Sequence, residues 1–314
     1  MTVSDERIQE AVNINSKYTE HQASRILKMK PSSLERLLRE AKSRDIVPTD
    51  APEETKRPNV LIFDIETSLM RFYAWSPGKQ YMGPDQIETD WHTLSWACKW
   101  LFEPDIYSDV LTPEEAANHD DERIVRSMWE YLDHADIIIA HNGKRFDERK
   151  LNSRFMSYGL HPPSPYQVID TLLQSRKIAM HSSNKQDELA KKFGLTRKVE
   201  HEGYNLWIRC FRADPEALLI MEEYNRGDVV GLEELYVVIR PWIKSHPNLN
   251  LYVEGDGYNC PNCGGEKLTW MDKFYYTTVN KYSTFRCGDC GAIGRSQSSA
   301  LTKEEKPKVS SVAR

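Results

Sequence analysis

In the middle of the chain, short continuous apolar runs alternate with stretches in which apolar residues recur every three or four positions. Val60-Leu61-Ile62-Phe63 and Ile137-Ile138-Ile139-Ala140 are runs of the first kind. Short and rich in β-branched residues, they suit strands buried on both faces. Strands are predicted over 59–65, 93–101, 136–140 and 166–169. Helical spacing predicts helices over 121–134 and 146–158, helical segments up to Phe193, and an amphipathic helix from about Pro215 to Trp242. Strands alternating with helices make an α/β layer fold of residues 59–245.

The flanks break this rhythm. Within residues 1–44, Ala23, Ile26, Leu27, Leu34, Leu37 and Leu38 form the apolar faces of a helix, a short turn and a second helix. Thr19 can cap the first helix, and Ser32 with Glu35 makes a capping box for the second. The pattern resembles a helix-turn-helix, with Lys28 in the turn where glycine is usual. Arg25, Lys28, Lys30, Arg36 and Arg39 leave DNA binding open beside a hairpin that packs on a partner or on the core. Pro48, Pro52 and Pro58, set among charges, mark 45–58 as a linker. Residues 258–295 are β-prone and aromatic, and 296–314 read as a Ser/Lys-rich disordered tail.

Charge sharpens the division. Residues 58–257 carry 22 Lys and Arg against 32 Asp and Glu, whereas 258–314 carry 9 against 5. An acidic centre suits a site completed by metal ions, and the C-terminal part is the better candidate to hold a polyanion. No apolar run approaches the ~20 residues that span a membrane. The polar N-terminus has no signal-like apolar core, so a soluble, intracellular, cytoplasmic protein is expected.

The chemistry concentrates in three segments. In Phe63-Asp64-Ile65-Glu66-Thr67, Asp64 and Glu66 end a strand two residues apart, on one face. Carboxylates that close repel unless a cation lies between them. Oxygen ligands of this kind suit Mg²⁺ or Mn²⁺. In His141-Asn142-Gly143-Lys144-Arg145-Phe146-Asp147 a polar turn follows a strand, and Phe146-Asp147 opens a helix. In Tyr224-Asn225-Arg226-Gly227-Asp228, Tyr224 and Asp228 share a helix face. Two ions held by such carboxylates can clamp the attacking and leaving oxygens of a phosphodiester. Asp170 is either a helix cap for Thr171 onward or a support of the site, and His141 either touches substrate or makes a structural hydrogen bond. Trp91, Trp96, Trp100 and Tyr73 line either the cleft or the core.

Of six cysteines, four form Cys260-Pro-Asn-Cys263 and Cys287-Gly-Asp-Cys290. Two such pairs around a hairpin-sized segment read as a zinc ribbon holding one structural Zn²⁺; two disulfides, disfavoured in an intracellular chain, or an iron–sulfur cluster are the alternatives. Cys98 and Cys210 lie in apolar contexts and are expected to be buried thiols. Between the pairs, Trp270, Phe274, Tyr275, Tyr276, Tyr282 and Phe285 are interleaved with Lys267, Lys273, Lys281 and Arg286. That mixture suits base stacking with phosphate contact, or a hairpin whose aromatics cover a small core.

Taken in order, Asp64-x-Glu66, Asn142-x-x-x-Phe146-Asp147 and Tyr224-x-x-x-Asp228 resemble the DEDD 3′→5′ exonuclease superfamily in its tyrosine branch. The likeness is to proofreading domains of family-B DNA polymerases and related stand-alone nucleases, and runs over roughly 58–242. It implies a ribonuclease H-like mixed sheet flanked by helices. It further implies that Asp64 bridges two Mg²⁺ or Mn²⁺ ions, that Glu66 and Asp228 hold the ion that activates water, and that Asp147 holds the second. Tyr224 would position the attacking water, and Asn142, Phe146 and the backbone around Thr67 would hold the terminal nucleotide. The activity implied is 3′→5′ hydrolysis of single-stranded DNA to nucleoside 5′-monophosphates, by a stand-alone nuclease or a subunit with a replication or recombination partner. A ribonuclease, a structure-specific endonuclease, or a DNA-binding adaptor with a vestigial nuclease core are the alternatives.

Overall fold

The computed structural model describes residues 4–17, 23–24, 26–44, 46, 57–76, 78, 81–197, 202–252 and 257–312. It divides into two compact units, residues 59–239 and residues 1–58 with 240–314.

The N-terminal part holds helices α1 (Asp5–Lys17) and α2 (Pro31–Ser43), with Ala23, Ser24 and Ile26 helical between them. α1 is not among the predicted elements, although Ile8, Ala11 and Val12 are buried at helical spacing. These three pack with Ala23, Leu34, Leu37 and Ala41, while Leu27 and Leu38 are partly buried against them. Ile26, expected on the apolar face, is exposed. The expected capping box at Ser32 and Glu35 does not form, because α2 begins two residues earlier, at Pro31, with Lys30 as N-cap and no side-chain cap. Proline at the first helical position has a preset φ and no N–H to satisfy, so it starts a helix without a box. Thr19 and Arg25 lie outside the described residues. Lys28 has φ 50°, the left-handed turn for which glycine is usual.

The larger unit is built on a five-stranded sheet. Its strands are β1 (Val60–Thr67), β4 (Thr93–Trp100), β5 (Tyr107–Val110), β6 (Ile137–Ala140) and β7 (Gln167–Asp170). A two-stranded hairpin, β2 (Arg71–Phe72) and β3 (Ile87–Thr89), stands apart. The sheet order is β5-β4-β1-β6-β7, with β1 antiparallel to β4 and parallel to β6. β1 is therefore the central strand, which is why its first four residues are wholly apolar and buried. All eight residues of β4 are buried, and Trp96 and Trp100 are among the core side chains.

The helices are α3 (Pro113–Asn118), α4 (Glu122–Asp133), α5 (Asp147–Ser157), α6 (Thr171–Ile178), α7 (Gln186–Phe193), α8 (Tyr204–Phe211) and α9 (Pro215–Ile239). Leu61, Phe63 and Ile65 of β1 join one core cluster with Ile124, Val125 and Met128 of α4 and with Leu151 and Phe155 of α5. Buried Asp121 ties three elements together: it accepts from Thr93 N at 2.6 Å and Arg154 Nε at 2.9 Å, and from the Tyr158 hydroxyl. A buried charge is tolerable when it is fully paired in this way. Lys99 of β4 likewise pairs with Glu233 of α9.

The C-terminal part is a three-stranded antiparallel sheet, β8 (Leu268–Tyr276), β9 (Lys281–Cys287) and β10 (Ile293–Arg295), in the order β10-β9-β8. Leu249 N donates to Pro261 O at 2.8 Å and Asn262 Nδ2 to Arg240 O at 3.0 Å, so residues 240–252 brace the first cysteine turn. At the start of the segment from 296, Ser296 N donates to Ser283 O and Ala300 N to Lys281 O, each at 2.8 Å.

Candidate active site and candidate metal centre

β1 delivers the first two carboxylates. Phe63 and Ile65 point into the core cluster, so Asp64 and Glu66 occupy the other face. The register with β4 slips between Glu66 and Thr67, which ends regular pairing where the acidic pair is displayed. α9 crosses the sheet and brings Asp228, which is 2% exposed. One oxygen each from Asp64, Glu66 and Asp228 lies within 4.8 Å of the others. Three carboxylates that close form a hard-oxygen donor set whose repulsion a divalent cation removes.

Asp147, the fourth predicted ligand, is not in that group. It stands in the first turn of α5, 2% exposed, and its Oδ1 accepts from Ile65 N at 3.3 Å. Burial pushes its carboxyl above the ordinary range, and nearby Asp170 adds to the effect. Asp147 is thus held against the β1 backbone at Ile65, the residue between Asp64 and Glu66 in sequence. The loop that carries it is tightly specified. Asn142 has φ 70°, and a Cβ on Gly143 would come 2.5 Å from Ala140 Cβ, so only glycine fits. Asp170 fills both roles considered for it: its carboxylate caps α6 through Leu173 N at 3.1 Å and accepts from Asn142 N at 3.1 Å and Lys144 N at 3.3 Å. His141 takes the structural role, with Nδ1 2.9 Å from Thr171 Oγ1 and Nε2 3.0 Å from Asn184 O.

A cleft of about 480 Å³ lies against the end of β1, lined by Thr67, Ser68, Leu69, Gly203, Tyr204 and Trp207. Trp207 meets the Tyr224 ring edge-on at 6.0 Å, which links the cleft wall to the third segment. Thr67 lines this cleft; Asn142 and Phe146 are not among its lining residues. Phe146 is exposed at the N-cap of α5, and the Lys150 ammonium sits 3.4 Å from the Trp91 ring centre and 5.7 Å from that of Phe146. Of the other aromatics considered, Tyr73 is exposed and donates to Glu88.

Two functional positions escape a linear reading. Asn225, fully buried on α9, donates from Nδ2 to Asp64 Oδ2 at 2.7 Å across 161 residues of sequence. It fixes the orientation of the central carboxylate. Trp207, on α8, is the second. Asn225 lies inside the Tyr224–Asp228 segment, so its setting is visible in the sequence but its partner is not.

Four cysteines gather at the other site. Cys260 Sγ is 3.5 Å from Cys290 Sγ, and Cys263 Sγ is 3.6 Å from Cys287 Sγ. All four sulfurs lie within 4.8 Å of one another. A disulfide needs about 2.05 Å. Tetrahedral thiolates about 2.3 Å from one ion would stand about 3.8 Å apart, close to what is observed. Gly264 and Gly291, at φ 70° and 79°, make the turns, and Gly265 N donates to Cys263 Sγ at 3.4 Å. The neighbouring Cys260 and burial push the Cys263 thiol up, and burial pushes Cys290 up to about 11. Such a cluster ionises readily only around a cation, so the donor set fits a soft-ligand ion. Cys98 and Cys210 are buried, as expected.

Comparison with known proteins agrees with the architecture. Residues 106–240 match the family model described as RNase_H superfamily. That span includes Asp147, Tyr224 and Asp228; Asp64 and Glu66 precede it and join the site through β1. The larger unit is a ribonuclease H-like domain: a five-stranded mixed sheet flanked by helices. Among solved structures, the family B DNA polymerase of the hyperthermophilic archaeon Pyrobaculum calidifontis is similar at 18% identity and a TM-score of 0.40, over 62% of this chain. The match spans 26% of that polymerase's length. No curated protein matches the chain. Among the described residues, no helix is long and apolar enough to cross a membrane.

Proposed function

We propose that the chain is a metal-dependent 3′→5′ exonuclease that hydrolyses single-stranded DNA to nucleoside 5′-monophosphates. The observation that carries this reading is the convergence of Asp64, Glu66 and Asp228 oxygens within 4.8 Å from two elements far apart in sequence. The ribonuclease H-like fold and the family match support the broader class, a nuclease.

Asp64, Glu66 and Asp228 would hold one Mg²⁺ or Mn²⁺, and Asp64 with Asp147 a second. Bound there, such ions polarise a phosphodiester and lower the pKa of water. The protein's own residues do the rest. Asn225 holds Asp64 in place. Thr67 and Trp207 wall a cleft large enough for a terminal nucleotide; Asn142 and Phe146, outside that cleft, would meet the strand from the second segment. Tyr224, whose ring meets that of Trp207 edge-on at 6.0 Å, would orient the attacking water. The water oxygen bonds to phosphorus, the bond to the 3′ oxygen of the preceding nucleotide breaks, and that oxygen takes up a proton. The cysteine centre holds one structural Zn²⁺ in this reading, and a replication or recombination protein is the partner proposed.

A gel time course tests it, with 5′-labelled single-stranded DNA and matched RNA, Mg²⁺ or Mn²⁺, and Asp64→Ala as control. A ladder shrinking from the 3′ end, absent in the variant, is expected, with DNA degraded faster. Faster loss of RNA would reassign the substrate to ribonucleic acid. Cleavage of flapped duplexes alone would make the enzyme an endonuclease. Binding to DNA with no cleavage of any substrate would leave an adaptor with a vestigial site.

A further inference from the structure

The C-terminal ribbon displays more aromatic surface than its fold uses. Its buried cluster consists of Cys260, Cys287 and Ala292, with Cys263, Leu268 and Cys290 packed against them. Phe285, 2% exposed, is the buried aromatic of the sheet, and it lies across Gly294, where a Cβ would stand 2.1 Å from the ring. Trp270, Phe274 and Tyr276 remain 46%, 39% and 67% exposed, and Tyr258 60%.

These rings share one face. Trp270 pairs with Phe285, Phe274 with Ser283 and Tyr276 with Lys281, so all three follow alternate residues of β9. The register shift between Met271 and Phe274 inserts two residues, Asp272 and Lys273. A one-residue slip would have turned Phe274 and Tyr276 to the opposite side; two residues keep the parity. The aromatic rows therefore recur about every 6.7 Å, two strand residues apart. Tyr258 extends the row, edge-on to Trp270 at 5.4 Å. On the opposite face Arg295 lies 4.1 Å over Tyr282 and 5.4 Å over Tyr275, which remains 51% exposed.

Charge selects the occupant. Lys281 Nζ lies 5.5 Å from the Phe274 ring, and exposed Lys273 stands at the bulge. The ion pair of Lys281 with Glu305 is long, 3.7 Å, and of the surface kind that a phosphate displaces readily. Residues 258–314 carry 9 Lys and Arg against 5 Asp and Glu. Evenly spaced rings with cations at their margin fit unstacked bases and their phosphates.

We propose that Tyr258, Trp270, Phe274 and Tyr276, with Lys273 and Lys281, form a stacking platform for a single-stranded polynucleotide. The platform rests on the nuclease reading only for why such a strand is present; its binding needs no cleavage. Fluorescence anisotropy tests it, with labelled oligothymidylate and oligouridylate, on the full chain carrying Asp64→Ala. Adding Trp270→Val and Tyr276→Val, which keep strand propensity, should weaken binding at least about tenfold and leave bound zinc unchanged. Lys273→Gln with Lys281→Gln should lower the salt dependence instead. The two oligonucleotides tell whether deoxyribose or ribose is preferred. Unchanged affinity of the valine variant with its zinc retained would overturn the proposal, as would a change in self-association alone. If the valine variant loses zinc, Trp270→Tyr should retain both zinc and binding, and loss of binding there with zinc retained also overturns it. Cleavage by the chain without the extra substitutions is measured separately, so a failed exonuclease and a failed platform give different results.

Discussion

The carboxylate site and the four-cysteine site both gather ion-binding side chains within 4.8 Å, yet they are built in opposite ways. Asp64, Glu66 and Asp228 sit at the edge of a large apolar core that packs without them. The cysteines are themselves most of the core of their sheet. An ion at the first site would relieve repulsion and serve chemistry; an ion at the second would replace a hydrophobic core too small to stand alone. The same geometric signature therefore has different consequences for folding.

The largest effect follows from that contrast. Removing the ion from the cysteines, by chelation or by Cys260→Ser with Cys290→Ser, should unfold residues near 258–295, since structural thiolate sites supply about 10 kcal/mol or more. Hydrogen exchange should then show loss of protection in β8 and β9 while β1, β4 and β6 keep theirs. A calorimetric trace unmoved by chelation would erase the distinction.

At the other site the expected outcome is reversed. On the proposed reading, Asp64→Ala should reduce cleavage below about 1% of the parent, since Asp64 would serve both ion positions. The fold should survive. Without divalent ions the variant should melt no lower than the parent, because one of three crowded negative charges is gone. Added Mg²⁺ should raise the melting temperature of the parent only.

How far this contrast could be read in the sequence depends on range. β1 and β6 were legible because Val60–Phe63 and Ile137–Ala140 are uninterrupted apolar runs, and the convergence of Asp64 with Glu66 follows from strand alternation. The turns at 260–263 and 287–290 were legible from spacing alone. Asn225 was not, since its partner Asp64 is 161 residues away and no local rule links them. Trp207 was hidden for the same reason: the cleft exists only once α8 lies beside the end of β1. Ser32 and Glu35 spell a capping box, but Pro31 starts the helix first. The two-residue bulge at Asp272 and Lys273 was invisible because polar residues are ordinary in an exposed strand.

Acid separates the two sites more finely. His92 is buried beside Ser68, whose Oγ lies 3.0 Å from its Nδ1, and its ring is tilted against that of His119, 5.1 Å away. Burial, and then the charge of His119, lower its pKa from 6.5 to about 4. The folded pKa lies below the unfolded one, so the unfolded chain binds more protons between them. Stability from this group is therefore complete above about pH 6.5 and falls as pH drops towards 4, by at most about 3 kcal/mol. Acid also displaces ions from thiolates. His92→Gln should flatten the pH dependence of core melting between 4 and 6.5 and leave that of the ribbon unchanged. An unaltered slope would remove His92 from the account.

Asn225→Ala asks whether the carboxylate site is shaped as well as charged. Losing one buried hydrogen bond to a charged group costs about 1.5 kcal/mol, so cleavage should fall roughly tenfold. The apparent affinity for Mn²⁺ should weaken with it. Asn225→Asp should do worse, because it adds a fourth negative charge beside Asp64. Equal kinetics in all three proteins would show that Asp64 needs no support.

The smallest effect concerns a region whose buried residues are neither cysteines nor carboxylates. Around Lys28, Met29 N donates to Ser24 O at 2.8 Å, the six-to-one bond of a helix ending in a left-handed residue. A lysine there costs about 1 kcal/mol relative to glycine. Lys28→Gly should thus raise the stability of the N-terminal helices by about that amount, read from their melting, without touching zinc content or cleavage. If the exposed ammonium contacts phosphate, duplex-DNA affinity should fall at the same time and its salt dependence should lessen by about one ion. Higher stability with unchanged DNA binding would mean that the turn is adopted for packing alone. Lower stability would mean that the lysine stem covers part of the Ile8, Leu34 and Leu37 cluster.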